Sequence, residues 1–125
     1  MSVLAWVGVA IAGGVGAPAR YLLDGFVQDR SRGALPWGTF VVNVVGAFVL
    51  GLVTGLALGG HLGDVGKQMA GTGFCGAFTT FSTFTFETTR LAEEGAWGEA
   101  AKNVCASLLV GLAAAALGLA LATLA

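Results

Sequence analysis

Between Gly73 and Glu87 the chain reads GFCGAFTTFSTFTFE, which sets glycines, hydroxyls and five phenylalanines, four of them evenly spaced, in a stretch with no charge before Glu87. Hydroxyls in a membrane helix usually bond back to a carbonyl on the preceding turn. Here Thr72, Thr79, Thr80, Ser82, Thr83 and Thr85 fall within fourteen residues, beside Gly73 and Gly76, and together they favour a polar track. Phe74, Phe78, Phe81 and Phe84 follow at spacings of four, three and three, one stripe if the helix is continuous. Packing or lipid contact suits Phe74 and Phe78. Phe81 and Phe84 interleave with Ser82 and Thr83, and an aromatic ring has a positive edge. Ring edges beside hydroxyls can receive a small anion weakly enough to let it leave, as conduction requires.

That chemistry needs a particular setting. The 125 residues are 56% hydrophobic and 10% charged, whereas a soluble domain carries about 25% charged residues. The chain reads as an all-α integral membrane protein. One crossing takes about 20 mainly apolar residues, so a single domain over residues 1–125 has room for four spans, near 3–26, 39–58, 67–89 and 104–124. Hydrocarbon has no water to satisfy a loosened backbone, so a Gly/Thr/Ser-rich interruption is tolerated only against protein or a polar cavity. The third span is therefore expected to break mid-membrane.

Each span carries its own signals. In the first, Gly13, Gly14, Gly16 and Pro18 predict a kinked or loosely wound second half. Ala10-Ile11-Ala12 loosely resembles a signal-peptidase site, but no basic n-region precedes it, so the stretch is read as retained. Pro36 and Trp37 open the second span, and glycines at 51, 55, 59 and 63 form a four-residue ladder for close helix approach. Trp6, Trp37 and Trp97 read as interface anchors. The segment from Arg90 to Lys102 reads as an interfacial connection. Arg30, Arg32, Arg90 and Lys102 lie in the first and third loops against Lys67 in the second, which favours those two loops in the cytoplasm.

Other polar residues have two readings each. Asn43, amid Val41, Val42, Val44 and Val45, is either a structural bond between helices or a donor facing an ion. Arg20 either snorkels to the interface beside Tyr21 and Asp24 or lines a vestibule that attracts anions. Ser107, one turn past Asn103, is a weaker candidate of the same kind. His61, in a Gly-rich loop, is read as solvated. Cys75 and Cys105 have no metal-site spacing and read as small packing residues. With a net charge of −1 and no basic run, nucleic acid is not a partner. No Asp or Glu stands in the middle of a span, which argues against coupled transport and for passive conduction.

Three motifs, in this order, resemble the Fluc (CrcB) family of fluoride channels. They are Gly13 to Ala17 with Arg20-Tyr21; Pro36 to Thr39 with Val42-Asn43 and Gly46; and Gly73 to Phe84 with Glu87 beyond. The resemblance implies an antiparallel dual-topology homodimer in the cell (inner) membrane that exports fluoride passively through two pores. It also implies a structural Na+ at the dimer centre, held by the backbone carbonyls of Gly76 and Thr79 of both copies. Phe81 and Phe84 match its pore phenylalanines, Asn43 its vestibule asparagine, Ser107 a hydroxyl of its polar track, and Arg20 a further family position. Gly111 stands where another hydroxyl of that track would be expected, so the track is shorter here.

The reading is then a fluoride-selective channel that relieves fluoride toxicity, not an enzyme. Its expected path comprises Arg20, Asn43, Phe81, Ser82, Thr83, Phe84 and Ser107, and its partners are fluoride, a second copy of the chain and the lipid bilayer. Two rivals stand beside it. A small multidrug-type exporter should carry a glutamate within its first span, where this chain has none before Asp24. A non-transporting membrane assembly subunit would explain the glycine ladder but not the hydroxyl-rich segment.

Overall fold

The computed structural model describes residues Met1 to Ala125, and every regular element in it is helical. Helix α1 (Val3–Asp29) starts where the Ser2 hydroxyl accepts the Ala5 amide at 3.2 Å, meeting one of the donors a helix start leaves unpaired. At its far end the Arg30 guanidinium donates to the Phe26 carbonyl at 3.0 Å and the Ser31 hydroxyl to that of Val27 at 2.7 Å. The glycines and Pro18 do not loosen it: α1 runs without interruption through all of them. Pro18 removes one hydrogen bond, the one its amide would make to the Gly14 carbonyl, and the helix continues past it.

Helix α2 (Trp37–Leu58) follows Pro36 and ends at Gly59. A four-residue helix, α3 (Asp64–Lys67), leads into a π-helical stretch, Gln68–Cys75, and then a single turn, α4 (Gly76–Phe78). Thr79 (φ −86°, ψ 161°) and Thr80 (φ −149°, ψ 118°) are extended. Helix α5 (Phe81–Glu93) resumes from there. Gly95, at φ +81°, reverses the chain into α6 (Trp97–Ala122). The charged connection is thus only a tight turn, and Trp97 to Lys102 already belong to α6.

Three helices, α1, α2 and α6, are long and apolar enough to cross a membrane. The main internal seam joins α2 to α6, and there Gly51 approaches the Ala115 carbonyl while Gly118 approaches that of Phe48, both too closely for a Cβ. Small residues at such a seam let backbones pack where lipid supplies no hydrophobic drive between helices. Gly55 shares the seam, its missing Cβ falling 2.6 Å from that of Ala122. Gly59 and Gly63 do not extend this face, because α2 has already ended. The π-helical stretch lies on α1, with Gly16 beneath the Phe74 carbonyl and Gly73 against Val9 and Ala12.

Only 19 of the 125 residues are buried, and large side chains such as Leu4, Ile11, Leu22 and Leu109 stand more than half exposed. That much apolar surface is tolerable only against lipid or another chain.

Candidate functional site

The site is built on the two extended residues. In a continuous helix the Thr80 N–H would go to the Gly76 carbonyl. It goes instead to Asn43 Oδ1 at 2.8 Å, while Asn43 Nδ2 donates to the Thr80 carbonyl at 2.8 Å. One side chain on α2 therefore satisfies both backbone groups of a residue thirty-seven positions later. The structural reading of Asn43 is what the geometry displays, and a primary amide has two N–H donors, so one remains beyond the clasp.

The start of α5 is made by the same residue. The Thr80 hydroxyl accepts the Thr83 amide at 3.1 Å and donates to the Thr83 hydroxyl at 3.1 Å. On the other side the Thr79 hydroxyl donates to the Cys75 carbonyl at 2.8 Å. Gly46 makes room for this, since a Cβ there would collide with the Thr79 methyl. Phe78 is buried and stacks on Phe74, their ring centroids 5.3 Å apart, as a packing pair would. Across the break Phe81 is 78% exposed and Phe84 half-buried, their rings 5.8 Å apart and tilted by 43°. The four phenylalanines thus split into an inner pair and an outer pair.

Two cavities flank the break and share Thr80. One, of about 340 Å³, reaches Asn43, Gly46, Gly76, Thr79 and Phe81. The other, of about 160 Å³, is lined by Arg20, Asp24, Thr39, Thr80 and Thr83. The structure thus gathers Asn43, Gly76, Thr79 and Phe81 on one side of Thr80 and brings Arg20 to Thr83 on the other. Ser82 is exposed on α5, and Ser107 lies on α6 in neither cavity. The Ser107 hydroxyl and Arg20 Nε are enclosed within the chain without a hydrogen-bond partner in it.

No group of three His, Cys, Asp or Glu side chains gathers anywhere in the chain. A cation would have to rely on carbonyl and hydroxyl oxygens, the donor set that small hard cations prefer. The Gly76 carbonyl, relieved of the Thr80 amide, and the extended Thr79 beside it suit that requirement.

Sequence reasoning passed over three participants. Thr80 was counted among the hydroxyls, yet its backbone is what Asn43 holds. Thr39 is buried, and Glu87 sits half-buried beside it and Asp24 with one carboxylate oxygen unpaired. A spacing signal was available for Glu87, because positions 80, 83 and 87 follow one helix face.

The fold and the site define a class: a multi-pass helical membrane protein with a polar interruption of the backbone clasped by an asparagine from a neighbouring helix. The chain belongs to the CrcB family, whose model, described as CrcB-like protein, Camphor Resistance (CrcB), matches residues 7–119. It is similar to the fluoride-specific ion channel FluC 1 of Streptomyces avermitilis, at 50% identity over 90% of this chain and 91% of that one. The FluC 1 of Frankia casuarinae is 48% identical over 94% and 95%, and the FluC 2 of Mycobacterium bovis 44% identical over 94% and 90%. These relatives are named as channels, and none as an enzyme.

Proposed function

We propose that this protein is a fluoride-selective channel through which fluoride leaves the cell passively, relieving its toxicity. The observation that carries the reading is the clasp of Asn43 on Thr80, which keeps a polar backbone interruption open between two cavities in a chain whose relatives are named fluoride-specific ion channels. Fluoride is small and strongly hydrated, so a narrow path must replace its water with several donors at once and still release it. Arg20 supplies positive charge at the approach. The free N–H of Asn43, the hydroxyls of Ser82, Thr83 and Ser107 and the edges of Phe81 and Phe84 supply the weak donors. Larger halides are rejected by width.

In this reading the segment from Asp64 to Glu93 is also a crossing, the third of four along the chain, with its break near the middle of the bilayer. The working unit is an antiparallel homodimer. Its support is the chain's sparse interior and a Phe81 ring left exposed beside the break. A Na+ at the dimer centre would be held by the Gly76 and Thr79 carbonyls of both copies. Its charge would add positive potential near the path and pin the two chains together.

Fluoride efflux from liposomes holding the purified protein tests the reading. The wild type should release fluoride and retain chloride, with Phe81→Ile abolishing the release. Vesicles that keep their fluoride despite correctly inserted protein would end the proposal.

A further inference from the structure

Helix α5, which carries both outer phenylalanines, is thinly attached: of its thirteen residues only Leu91 is buried. Its first turn is fixed by Asn43 through Thr80. Further along, Asn103 on α6, only 5% exposed, donates from Nδ2 to Thr88 Oγ1 at 2.7 Å. That hydroxyl donates in turn to the Phe84 carbonyl at 2.8 Å. The chain of bonds therefore runs from a buried amide on a membrane-spanning helix to the backbone of a path residue. Successive bonds of this kind polarise and strengthen one another.

Positions 81, 84 and 88 share one face of the helix. Whatever fixes Thr88 about the α5 axis therefore fixes both rings. A rotation of about 10° carries a ring at the helix rim, about 5–6 Å from the axis, by about 1 Å. A path that rejects larger halides by width would feel that displacement.

We propose that Asn103 is a positioning residue for the anion path: through Thr88 it sets the rotation of α5, and with it the placement of the Phe81 and Phe84 rings, without touching the anion. The inference rests on the channel reading of α5. It gives α5 two asparagine anchors, one at the break and one beyond it, each belonging to a different neighbouring helix.

The test uses single-channel fluoride currents in planar bilayers, because current amplitude is a property of each open molecule and does not depend on how much protein folds. Asn103→Leu and Thr88→Val should each lower the amplitude about three- to tenfold, the range that one net hydrogen bond of positional bias spans. The double variant should fall no further than either single one, and Thr88→Ser, which keeps the hydroxyl, should restore the wild-type current. In parallel, 4-fluorophenylalanine in place of Phe84 should shift its 19F resonance in both variants, a readout that does not depend on conduction. A full-size current or an unmoved resonance in either folded variant overturns the inference. So does loss of folded protein in both, which would make the bond one of stability alone. A wild type without fluoride current defeats the channel reading instead, and the resonance then still decides whether the tether positions Phe84.

Discussion

Replacing Asn43 should convert the break into ordinary helix rather than unfold the protein. The asparagine makes two hydrogen bonds of 2.8 Å to the backbone of Thr80, one in each direction. Each contributes about 0.5–1.5 kcal/mol net, and a group left unmet away from water costs about 1–3 kcal/mol. Asn43→Ala, which opens a small space that water can enter, should therefore bias against the extended form by about 1–3 kcal/mol, or about five- to 150-fold in population. Asn43→Leu fills that space with hydrocarbon, leaves both Thr80 groups unmet, and should cost the break about 2–6 kcal/mol. The Thr80 amide has an alternative partner in the Gly76 carbonyl, four residues earlier, so the chain escapes the penalty by closing the helix. Fluoride efflux should then fall in the order wild type, Asn43→Ala, Asn43→Leu, while the melting temperature changes little. Efflux at the wild-type rate from Asn43→Leu would refute the reasoning, because the break would then be holding itself open by other means.

Other consequences are open to measurement. Gly46→Ala places a methyl against that of Thr79, with the Phe78 ring 3.4 Å away, and should lower stability by about 1–3 kcal/mol as overpacking does. Gly98→Ala, which meets nothing within 4 Å, is the control, and thermal unfolding in detergent reads both. If Na+ binds at the Gly76 and Thr79 carbonyls, exchanging it for N-methylglucamine should lower the unfolding midpoint. Sodium at 100 times its dissociation constant stabilises by about 2.7 kcal/mol, and a midpoint indifferent to sodium would remove the site. For the antiparallel dimer, cysteine accessibility at an engineered terminal residue should report both orientations in roughly equal amounts. One orientation only would show that the loop charges decide.

The membrane class followed from composition, and Gly73 to Phe84 stood out by its density of glycines and hydroxyls in an apolar chain. The clasp was not readable, because Asn43 and Thr80 are thirty-seven residues apart and an amide among valines looks the same whether it binds a helix or an ion. The π-helical stretch from Gln68 to Cys75 was equally hidden. No propensity marks a shift from four-residue to five-residue bonding; here it accompanies close packing of Gly73 and the Phe74 carbonyl on α1. Pro18 does not unwind α1, since one lost bond in a 27-residue helix does not outweigh the ladder on either side. The glycine ladder was half right for a geometric reason: a shared face lasts only as long as its helix, and α2 stops at Leu58.

The arrangement of anchors bears on how such a channel stays selective. A helix fixed only by apolar packing in lipid can slide and rotate at small cost, because the surroundings are as apolar as its own surface. Directional bonds remove that freedom. Thr80 is held by α2 and Thr88 by α6, and these two helices are themselves locked together where Gly51 and Gly118 bring backbone against backbone. The α2–α6 seam is thus a rigid frame, with α5 hung on it at two points seven to eight residues, or about 12 Å, apart. Two points define the line of a helix and the hydroxyl at the second defines its rotation, so in the proposed channel the rings of Phe81 and Phe84 are placed by bonds within the protein before any anion arrives. An anion too weakly held to organise its own surroundings requires that kind of prior placement.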